Sequence, residues 1–295
     1  MTLHVVGNVC VDTTFYLDRL PRPGETVNAS STQRGVGGKG ANQAVAAART
    51  GAAVAFRAAL GRDADGDFLK ATLAADLPLD GLAVLDAPTD RSSILVDGHG
   101  ENIIVTAADC ADAFDPSADL TSLAKGDHLL MQGNLGADVT VACLNAARAR
   151  GVVTILNPSP LGAALPAADV VVVNTVEAEA LAGLADPPAA ARRLSRDGEA
   201  SVIVTLGARG ALLLERGEAR LLPAPAVDAV DTSGAGDVFA GVLSGCLARR
   251  LPLVAAVTVG VAAAAIAVTR RGTLAACPSR AEIAALIDQI SREAS

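Results

Sequence analysis

The stretch Val170-Val-Val-Val-Asn174-Thr-Val-Glu177 joins an unbroken apolar run to the start of a helical pattern. An apolar run without polar alternation is typical of a strand that is buried on both faces of a parallel sheet. Similar runs precede helical patterns along most of the chain. This alternation predicts an α/β fold, with a mostly parallel central sheet and helices on both faces. The predicted strands are residues 3–9, 54–60, 128–132, 152–156, 170–174 and 201–206, and the predicted helices are residues 40–50, 65–75, 139–150, 176–182, 189–196, 235–248, 253–268 and 280–292.

Two stretches, residues 12–36 and 91–106, interrupt this alternation because they are extended, alternate polar with apolar residues and contain turn signals. We predict that they pair into a small β lid that stands off the main sheet. No internal repeat or low-complexity linker divides the sequence, so the chain is predicted to be a single domain over residues 1–295.

The composition argues against several classes of function. Hydrophobic residues make up 51% of the 295 residues and charged residues 19%, which is enough apolar material for a large core. The net charge is −8 and no basic block is present, so nucleic acid is not an expected partner. The five cysteines form no Cys-x-x-Cys pair and the N-terminus lacks a signal-peptide pattern. Both observations favour a reducing cytoplasm.

One segment, residues 251–269, carries no charge and is long enough to cross a bilayer. It is rich in Ala and Val, which contribute little transfer free energy, and it contains Pro252 and Gly260. We therefore predict a buried helix here and no membrane span.

The strongest chemical motif is Asp231-Thr-Ser-Gly-Ala-Gly-Asp237, which leads into a predicted helix. Its small residues Gly234, Ala235 and Gly236 let a ligand approach the backbone closely. The free N–H groups at the helix start favour an anion, such as a phosphoryl group in transfer. Asp237 is either the N-terminal cap of this helix or a catalytic base, and the motif alone leaves both open.

A second glycine-rich motif, Gly35-Val-Gly-Gly-Lys-Gly-Ala-Asn42, precedes an Ala-rich helix. It is not a Walker loop, because Gly40 stands where a magnesium-binding Ser or Thr would follow the lysine. Lys39 is one of only three lysines in a chain that otherwise uses Arg, which favours a specific polar site. A flexible turn before a helix is the alternative.

Two further motifs directly follow predicted strands, where parallel sheets bind their ligands. Asn174 and Glu177 could position a hydrated Mg²⁺, or they could form a capping box at a helix start. The segment that contains Thr205 and Gly207 is typical of a tight turn, and a contact with a nucleotide is the alternative.

Together these motifs resemble those of the ribokinase-like carbohydrate kinase family. The resemblance implies an ATP-dependent kinase that transfers the γ-phosphate to a sugar hydroxyl. It also implies a central, mostly parallel sheet with a β lid. The motifs that carry the resemblance are Gly7-x-x-x-x-Asp12, Pro23-Gly-Glu-Thr26, Gly37-Gly-Lys-Gly-Ala-Asn42, Asn174-x-x-Glu177, Asp231 to Asp237, and the tail from Ala262 to Gly272.

The resemblance also implies roles for single residues. Asp237 would be the base, and the N–H groups of Gly234, Ala235 and Gly236 would stabilise the γ-phosphoryl charge. The residues that would hold the sugar hydroxyls are Asp12, Gly38, Lys39, Asn42 and Asp237. The residues around the nucleotide would be Asn174 and Glu177, which orient Mg²⁺ through water, and Thr205, Gly207 and Gly236 along ATP. The residues that would hold K⁺ are Asp231 and, through their carbonyls, Ser233, Ala267, Arg270 and Gly272.

The chain departs from this family at three positions. Ribose-phosphorylating members have Asn at the position of Cys10 and Glu at that of Asn134, both near the sugar, and a side-chain ligand for the cation at that of Ala276. Losing two hydrogen-bonding partners predicts a looser or different sugar specificity. A nucleoside kinase of the same fold and a non-catalytic sugar sensor are the alternatives. Open strand edges in the lid lead us to expect a homodimer joined lid to lid.

Overall fold

The computed structural model describes residues 1–99, 101–162 and 165–293. Its strands are β1 (Thr2–Val6), β2 (Cys10–Tyr16), β3 (Ser31–Gly37), β4 (Ala53–Gly61), β5 (Leu82–Leu85), β6 (Arg91–Val96), β7 (Asn102–Ala107), β8 (His128–Gln132), β9 (Val153–Asn157), β10 (Val170–Asn174), β11 (Ser201–Thr205), β12 (Ala211–Glu215) and β13 (Glu218–Leu222). Its α-helices are α1 (Lys39–Arg49), α2 (Ala64–Leu73), α3 (Asp109–Ala113), α4 (Ala137–Ala149), α5 (Thr175–Ala182), α6 (Pro187–Leu194), α7 (Ala235–Ala248), α8 (Leu253–Ala267) and α9 (Arg280–Glu293).

The centre of the molecule is a nine-stranded sheet in the order β13-β12-β11-β10-β9-β8-β1-β4-β5. The strands from β11 to β5 in this order run parallel to one another. Strand β12 is antiparallel to both of its neighbours, β11 and β13. The predicted mostly parallel sheet is therefore confirmed. The sequence prediction missed β5, β12 and β13. Strands β12 and β13 form a hairpin whose turn contains Arg216 and Gly217, both with positive φ. Because no helix separates these two strands, the strand–helix alternation did not predict them.

Strand β1 ends at Val6 and not at residue 9 as predicted. The main chain leaves the sheet at Gly7, whose N–H still donates to the Arg57 carbonyl, and then turns towards the start of α1. The Asn8 carbonyl accepts a hydrogen bond from the N–H of Ala41 in that helix. The residues after β1 thus position α1 instead of extending the sheet.

The order of the strands reverses beside β1. Strands β4 and β5 are added on one side of β1, and β8 to β13 are added on the other side. In an open sheet of this type, ligands bind at the carboxyl ends of the strands where the order reverses. The gap between the ends of β1 and β8 is therefore the expected position of the site.

Two layers of helices cover the two faces of the sheet. One apolar cluster contains residues of α1, α2, α7, α8 and α9, and the other contains residues of α3, α4, α5 and α6. Helix α8 packs into the first cluster through buried residues that include Ala256, Val257 and Val259, so the predicted buried helix is confirmed. Among the described residues, no helix combines the length and the apolar character that crossing a bilayer requires.

The two interrupting stretches form a separate four-stranded sheet, in the order β3-β2-β6-β7, which we call the lid. Strands β2 and β6 are parallel, and the other two pairs are antiparallel. Gly100, within the second predicted stretch, lies outside the described residues. On α2, the Asp65 carboxylate forms ion pairs with Arg34 of β3 and Arg91 of β6, and these pairs tie the lid to the body.

Candidate active site

Asp237 lies in the first turn of α7 and is only 6% exposed. The capping position is occupied by Gly234, which has φ 72° and no side chain. A Cβ at Gly234 would lie 3.0 Å from the Cα of Thr273, so this turn needs glycine both for its backbone conformation and for space. The structure thus excludes one of the two roles that the sequence left open for Asp237, because its carboxylate does not cap α7.

Residues at the start of α1 surround this carboxylate. Gln43 donates from Nε2 to Oδ1 of Asp237 at 2.9 Å, and Asn42 donates from Nδ2 to Oδ2 at 3.3 Å. The Lys39 ammonium nitrogen lies 3.9 Å from Oδ1. Two of the predicted sugar-binding residues, Lys39 and Asn42, therefore meet the predicted base in one place.

Close backbone packing fixes α1 in this position. Gly38 has φ 91°, and the N–H of Gly40 donates to Oδ1 of Asn8 at 3.3 Å. A Cβ at Gly40 would lie 2.6 Å from the Asn8 carbonyl oxygen, which excludes any larger residue without movement of the backbone. The second glycine motif is thus a fixed contact between the end of β1 and α1, and not a loose turn.

Asp12 projects from β2 of the lid. Burial raises the pKa of its carboxyl group, and the nearby negative charge of Asp237 raises it as well. The Cys10 thiol donates to Oδ1 of Asp12 at 3.3 Å and lies 3.5 Å from the Ser92 hydroxyl. Burial also raises the pKa of Cys10, so it stays a neutral thiol. The structure therefore places Cys10 against Asp12.

Asn134 follows β8 at the point where the strand order reverses. Its Oδ1 atom is buried and has no hydrogen-bond partner in the described part of the chain, and the same is true of Oδ1 of Asn42. Buried polar atoms are nearly always hydrogen-bonded in native proteins. Buried acceptors of this kind seek a donor, which a hydroxyl-bearing ligand would supply.

The predicted nucleotide residues lie at the ends of neighbouring strands. Asn174 ends β10 and pairs in register with Thr205, which ends β11. Gly207 lies exposed in the turn that follows, with φ 60°. Asn174 and Glu177 form both hydrogen bonds of a capping box, at 2.8 and 2.9 Å. The box uses Oε2 of Glu177, and a carboxylate keeps a second oxygen that can bind a water ligand of Mg²⁺.

The predicted cation residues lie on two loops joined by one carboxylate. Asp231 accepts from the N–H of Ser233 through Oδ1 and from the N–H of Gly272 through Oδ2, both at 2.9 Å. The Ala267 carbonyl accepts from the N–H of Arg270 at 3.0 Å. These residues therefore lie on segments beside the α7 N-terminus, where a Cβ at Gly234 would approach Thr273. Ala276 is fully buried and offers no side-chain ligand.

Sequence reasoning missed three buried amides near Asp237: Gln43, Gln132 and Asn157. Gln132 is the last residue of β8 and Asn157 the last residue of β9, and the two pair in register. Each follows a run of buried residues, most of them apolar, so the available signal was an amide placed at the carboxyl end of a buried strand. Gln43 carried no signal, because it lies within an Ala-rich helical pattern.

A comparison with known protein families now decides the family. The model of the pfkB family of carbohydrate kinases matches residues 2–280. This chain belongs to the pfkB family of carbohydrate kinases. Membership confirms the predicted family, the fold with its lid, and the function of an ATP-dependent phosphotransferase that acts on a sugar hydroxyl.

Individual members of the pfkB family are similar over nearly the whole chain. Ribokinase from Haemophilus influenzae is 34% identical over 296 residues, which cover 95% of this chain and 96% of the relative. The crystal structure of ribokinase from Thermotoga maritima is 32% identical, with a TM-score of 0.88 over 97% of this chain and 99% of that chain. The structure of Arabidopsis thaliana ribokinase complexed with ribose and ATP is 26% identical, with a TM-score of 0.87 over 97% of this chain and 98% of that chain.

Proposed function

We propose that this carbohydrate kinase uses Asp237 as the base that activates the sugar hydroxyl. The observation that carries the proposal is the Asp237 carboxylate, buried at the start of α7 and bonded by Gln43 and Asn42 instead of capping its own helix. A buried carboxylate held in one orientation beside free helix N–H groups can take a proton while those groups receive an anion. A sugar sensor without catalysis would have no need for this arrangement.

In the reaction we propose, the O–H bond of the sugar breaks and its proton passes to the Asp237 carboxylate. The electron pair left on the sugar oxygen forms a bond to the γ-phosphorus of ATP. The bond between that phosphorus and the bridging oxygen breaks, and ADP leaves. Since this chemistry needs little covalent help, the chain contributes mainly position and charge stabilisation.

Charge on the transferring group would be stabilised by the start of α7. The first N–H groups of a helix have no partner within the helix, and here they belong to Gly234, Ala235 and Gly236. The N–H of Ala235 makes only a long contact, 3.3 Å, with the Thr232 carbonyl. These three N–H groups are therefore suited to donate hydrogen bonds to the γ-phosphoryl oxygens.

The nucleotide and its ions would lie along the ends of β10 and β11. We assign ATP to Thr205, Gly207 and Asn174, and Mg²⁺ to the water ligands of Glu177. A divalent cation there would neutralise phosphate charge. The loops joined by Asp231 would hold K⁺, which would set the field at the start of α7.

The sugar would lie between the body and the lid. A cavity of about 1090 Å³ extends from Asp12 along the inner lid to the loops around Asp231 and Thr273, and of the residues assigned to the sugar only Asp12 lines it. We assign the sugar hydroxyls to Asp12, Gly38, Lys39 and Asn42, with Cys10 and Asn134 shaping specificity. A lid that closed on the sugar would exclude water from the reaction.

The lid also supports a proposal about assembly. Ile103, Ile104 and Val105 are consecutive, exposed apolar residues on β7, which lies at one edge of the lid sheet. An exposed apolar edge strand favours pairing with another chain. We assign this edge to a homodimer joined lid to lid, in a single-domain enzyme of the reducing cytoplasm whose five cysteines are all free and buried.

The experiment that tests the proposed function is a substrate panel. ADP release would be measured with pentoses, hexoses and nucleosides, in Mg²⁺ with either K⁺ or Na⁺. We expect release that depends on a sugar and is faster in K⁺. A preference for nucleosides would support the nucleoside kinase instead. No increase over release from ATP alone with any acceptor would contradict the proposal, and equal rates in K⁺ and Na⁺ would remove the cation site.

A further inference from the structure

Gln43 lies at the centre of a buried chain of amides that leads from the main sheet to Asp237. Its side chain is 0% exposed, and Gln132 and Asn157 are 1% and 8% exposed. Gln43 donates through Nε2 to Asp237 at 2.9 Å and to Oδ1 of Asn157 at 3.0 Å. Gln132 donates through Nε2 to Oε1 of Gln43 at 2.9 Å. Every polar atom of the Gln43 amide therefore has a partner.

A backbone carbonyl sets the direction of this whole chain. Asn157 donates through Nδ2 to the carbonyl oxygen of Val172 at 3.0 Å, and a carbonyl can only accept. The Oδ1 atom of Asn157 must then face Gln43, so the NH₂ group of Gln43 must face Asn157 and Asp237. Because Gln43 cannot turn its oxygen towards Asp237, it is a permanent donor to that carboxylate.

Helix packing holds the two residues together. Gly241 lies one turn after Asp237 on α7, and a Cβ at this position would collide with the main-chain oxygen of Gln43. Gly245, one turn further on, approaches Thr50 and the main chain of Ala47 in the same way. The contact between α1 and α7 is therefore close enough to fix the Gln43 side chain against Asp237 before any ligand arrives.

We infer that Gln43 is a positioning residue which holds Oδ1 of Asp237 and so assigns the uptake of the sugar proton to Oδ2. The inference rests on the proposed function, in which Asp237 is the base. Lys39 and Asn42 also approach the Asp237 carboxylate. Both are assigned to the sugar, so their side chains must give up this contact when the sugar binds. Gln43 has no access to the sugar, so its bond persists while the other two change partners. Since Gln43 only donates, Oδ1 stays an acceptor and the proton taken from the hydroxyl remains on Oδ2.

The test is a double-mutant cycle of Gln43→Met and Asp237→Asn. Met keeps the length of Gln and fills the space without hydrogen bonds. We expect Gln43→Met to lower kcat at least ~10-fold, about one hydrogen bond to a charged group, with KM for sugar and ATP changed less than ~2-fold. In the Asp237→Asn background, the same change should alter kcat less than ~2-fold, because Gln43 acts through Asp237.

Thr140→Val serves as the matched control, because its buried hydroxyl has no hydrogen-bond partner among the described residues and α4 belongs to the other helix layer from α7. It should leave kcat unchanged. If Gln43→Met does not fold, Asn157→Leu replaces it, since this change frees the Gln43 amide to rotate. We expect Asn157→Leu to lower kcat as well, but by a smaller factor than Gln43→Met.

An equal loss of kcat from Gln43→Met in both backgrounds would overturn the inference, because it would indicate a structural role. So would a loss confined to KM, or wild-type kcat in both Gln43→Met and Asn157→Leu. If Asp237→Asn itself keeps wild-type turnover, the proposed function fails at its base. If Asp237→Asn is inactive and kcat is normal in both Gln43→Met and Asn157→Leu, or in Asn157→Leu alone where Gln43→Met does not fold, only the role of Gln43 fails.

Discussion

The centre of the site is held by buried amides of the sheet and helices, whereas the lid is held by charged groups near the surface. Gln43 donates to Asp237 and to Asn157, and the side chains of Gln43 and Asn157 are almost completely buried. The orientation of both amides is fixed by these hydrogen bonds. The lid is tied through Arg34 and Arg91, whose side chains are 47% and 67% exposed. The centre is thus rigid before substrate arrives, and the lid is attached by bonds that water can replace.

This difference matches the two tasks of a kinase. The proton acceptor must stand in a fixed place, because misplacement of a reacting group is costly in rate. A lid must open to admit sugar and nucleotide, so it cannot be held by a dry, fully bonded network. In the proposed mechanism, Asp12 on the lid and Asp237 in the body would therefore approach the sugar from a movable and a fixed side.

The largest effect on stability is expected from Gly40→Ala in the centre. The new Cβ would lie 2.6 Å from the Asn8 carbonyl oxygen, so the start of α1 must shift. We expect a loss of ~1–3 kcal/mol in the free energy of unfolding, measured by denaturant titration. Gly35→Ala in the lid is the control, since nothing lies within 4 Å of its Cβ position. Equal stability of the two variants would break the contrast between centre and lid.

The next effect concerns specificity and joins the two regions. Cys10→Asn on the lid combined with Asn134→Glu after β8 introduces the polar groups that the family resemblance implies for ribose-phosphorylating members. We expect kcat/KM for ribose to rise at least ~10-fold, which is ~1.4 kcal/mol. The two single variants, Cys10→Asn and Asn134→Glu, are the controls for the double variant. If the wild type already prefers ribose and the double variant gains nothing, these positions do not set specificity.

A smaller effect is expected when the lid is released. Asp65→Asn removes the carboxylate that pairs with Arg34 and Arg91. Arg34 is about half exposed and Arg91 about two-thirds exposed, so solvent screening limits the loss of interaction free energy to ~1 kcal/mol or less, or about 5-fold in KM for the sugar. We expect kcat to stay near its wild-type value, in initial-rate measurements over a range of sugar concentrations. A fall in kcat with unchanged KM would mean that the lid tether acts on the chemical step.

The smallest effect is a shift in pH dependence. Burial raises the pKa of Asp12 above its ordinary value, so kcat/KM should fall as the pH drops through that raised pKa and the carboxyl becomes neutral. Cys10→Ala removes a donor to the ionised form, and the fall should then begin at a higher pH. Cys143→Ala, on α4, is the control. If the acid side of the kcat/KM pH profile is unchanged in Cys10→Ala, the ionisation of Asp12 does not govern sugar binding.

Much of this architecture could be predicted, because apolar runs and glycine motifs reflect local demands. The strand at residues 170–174 and the helix at 235–248 agree with the structure to the residue. The hairpin of β12 and β13 escaped because its edge strand is polar and exposed. The amide chain escaped because Gln132 and Asn157 lie 89 and 114 residues from Gln43 in sequence. A local pattern can mark Gln132 and Asn157 as amides at strand ends, but only the folded sheet brings them to Gln43.

The measurement that tests the account most directly is turnover by Asp237→Asn, with the best sugar of the substrate panel and with ATP binding measured in parallel. Asn keeps the shape and the hydrogen bond from Gln43 but cannot take the proton. We predict a fall in kcat of ~10²–10⁴-fold, typical of losing a general base, with ATP affinity unchanged. Near-normal turnover in a folded variant that binds ATP would contradict the assignment of Asp237 as the base.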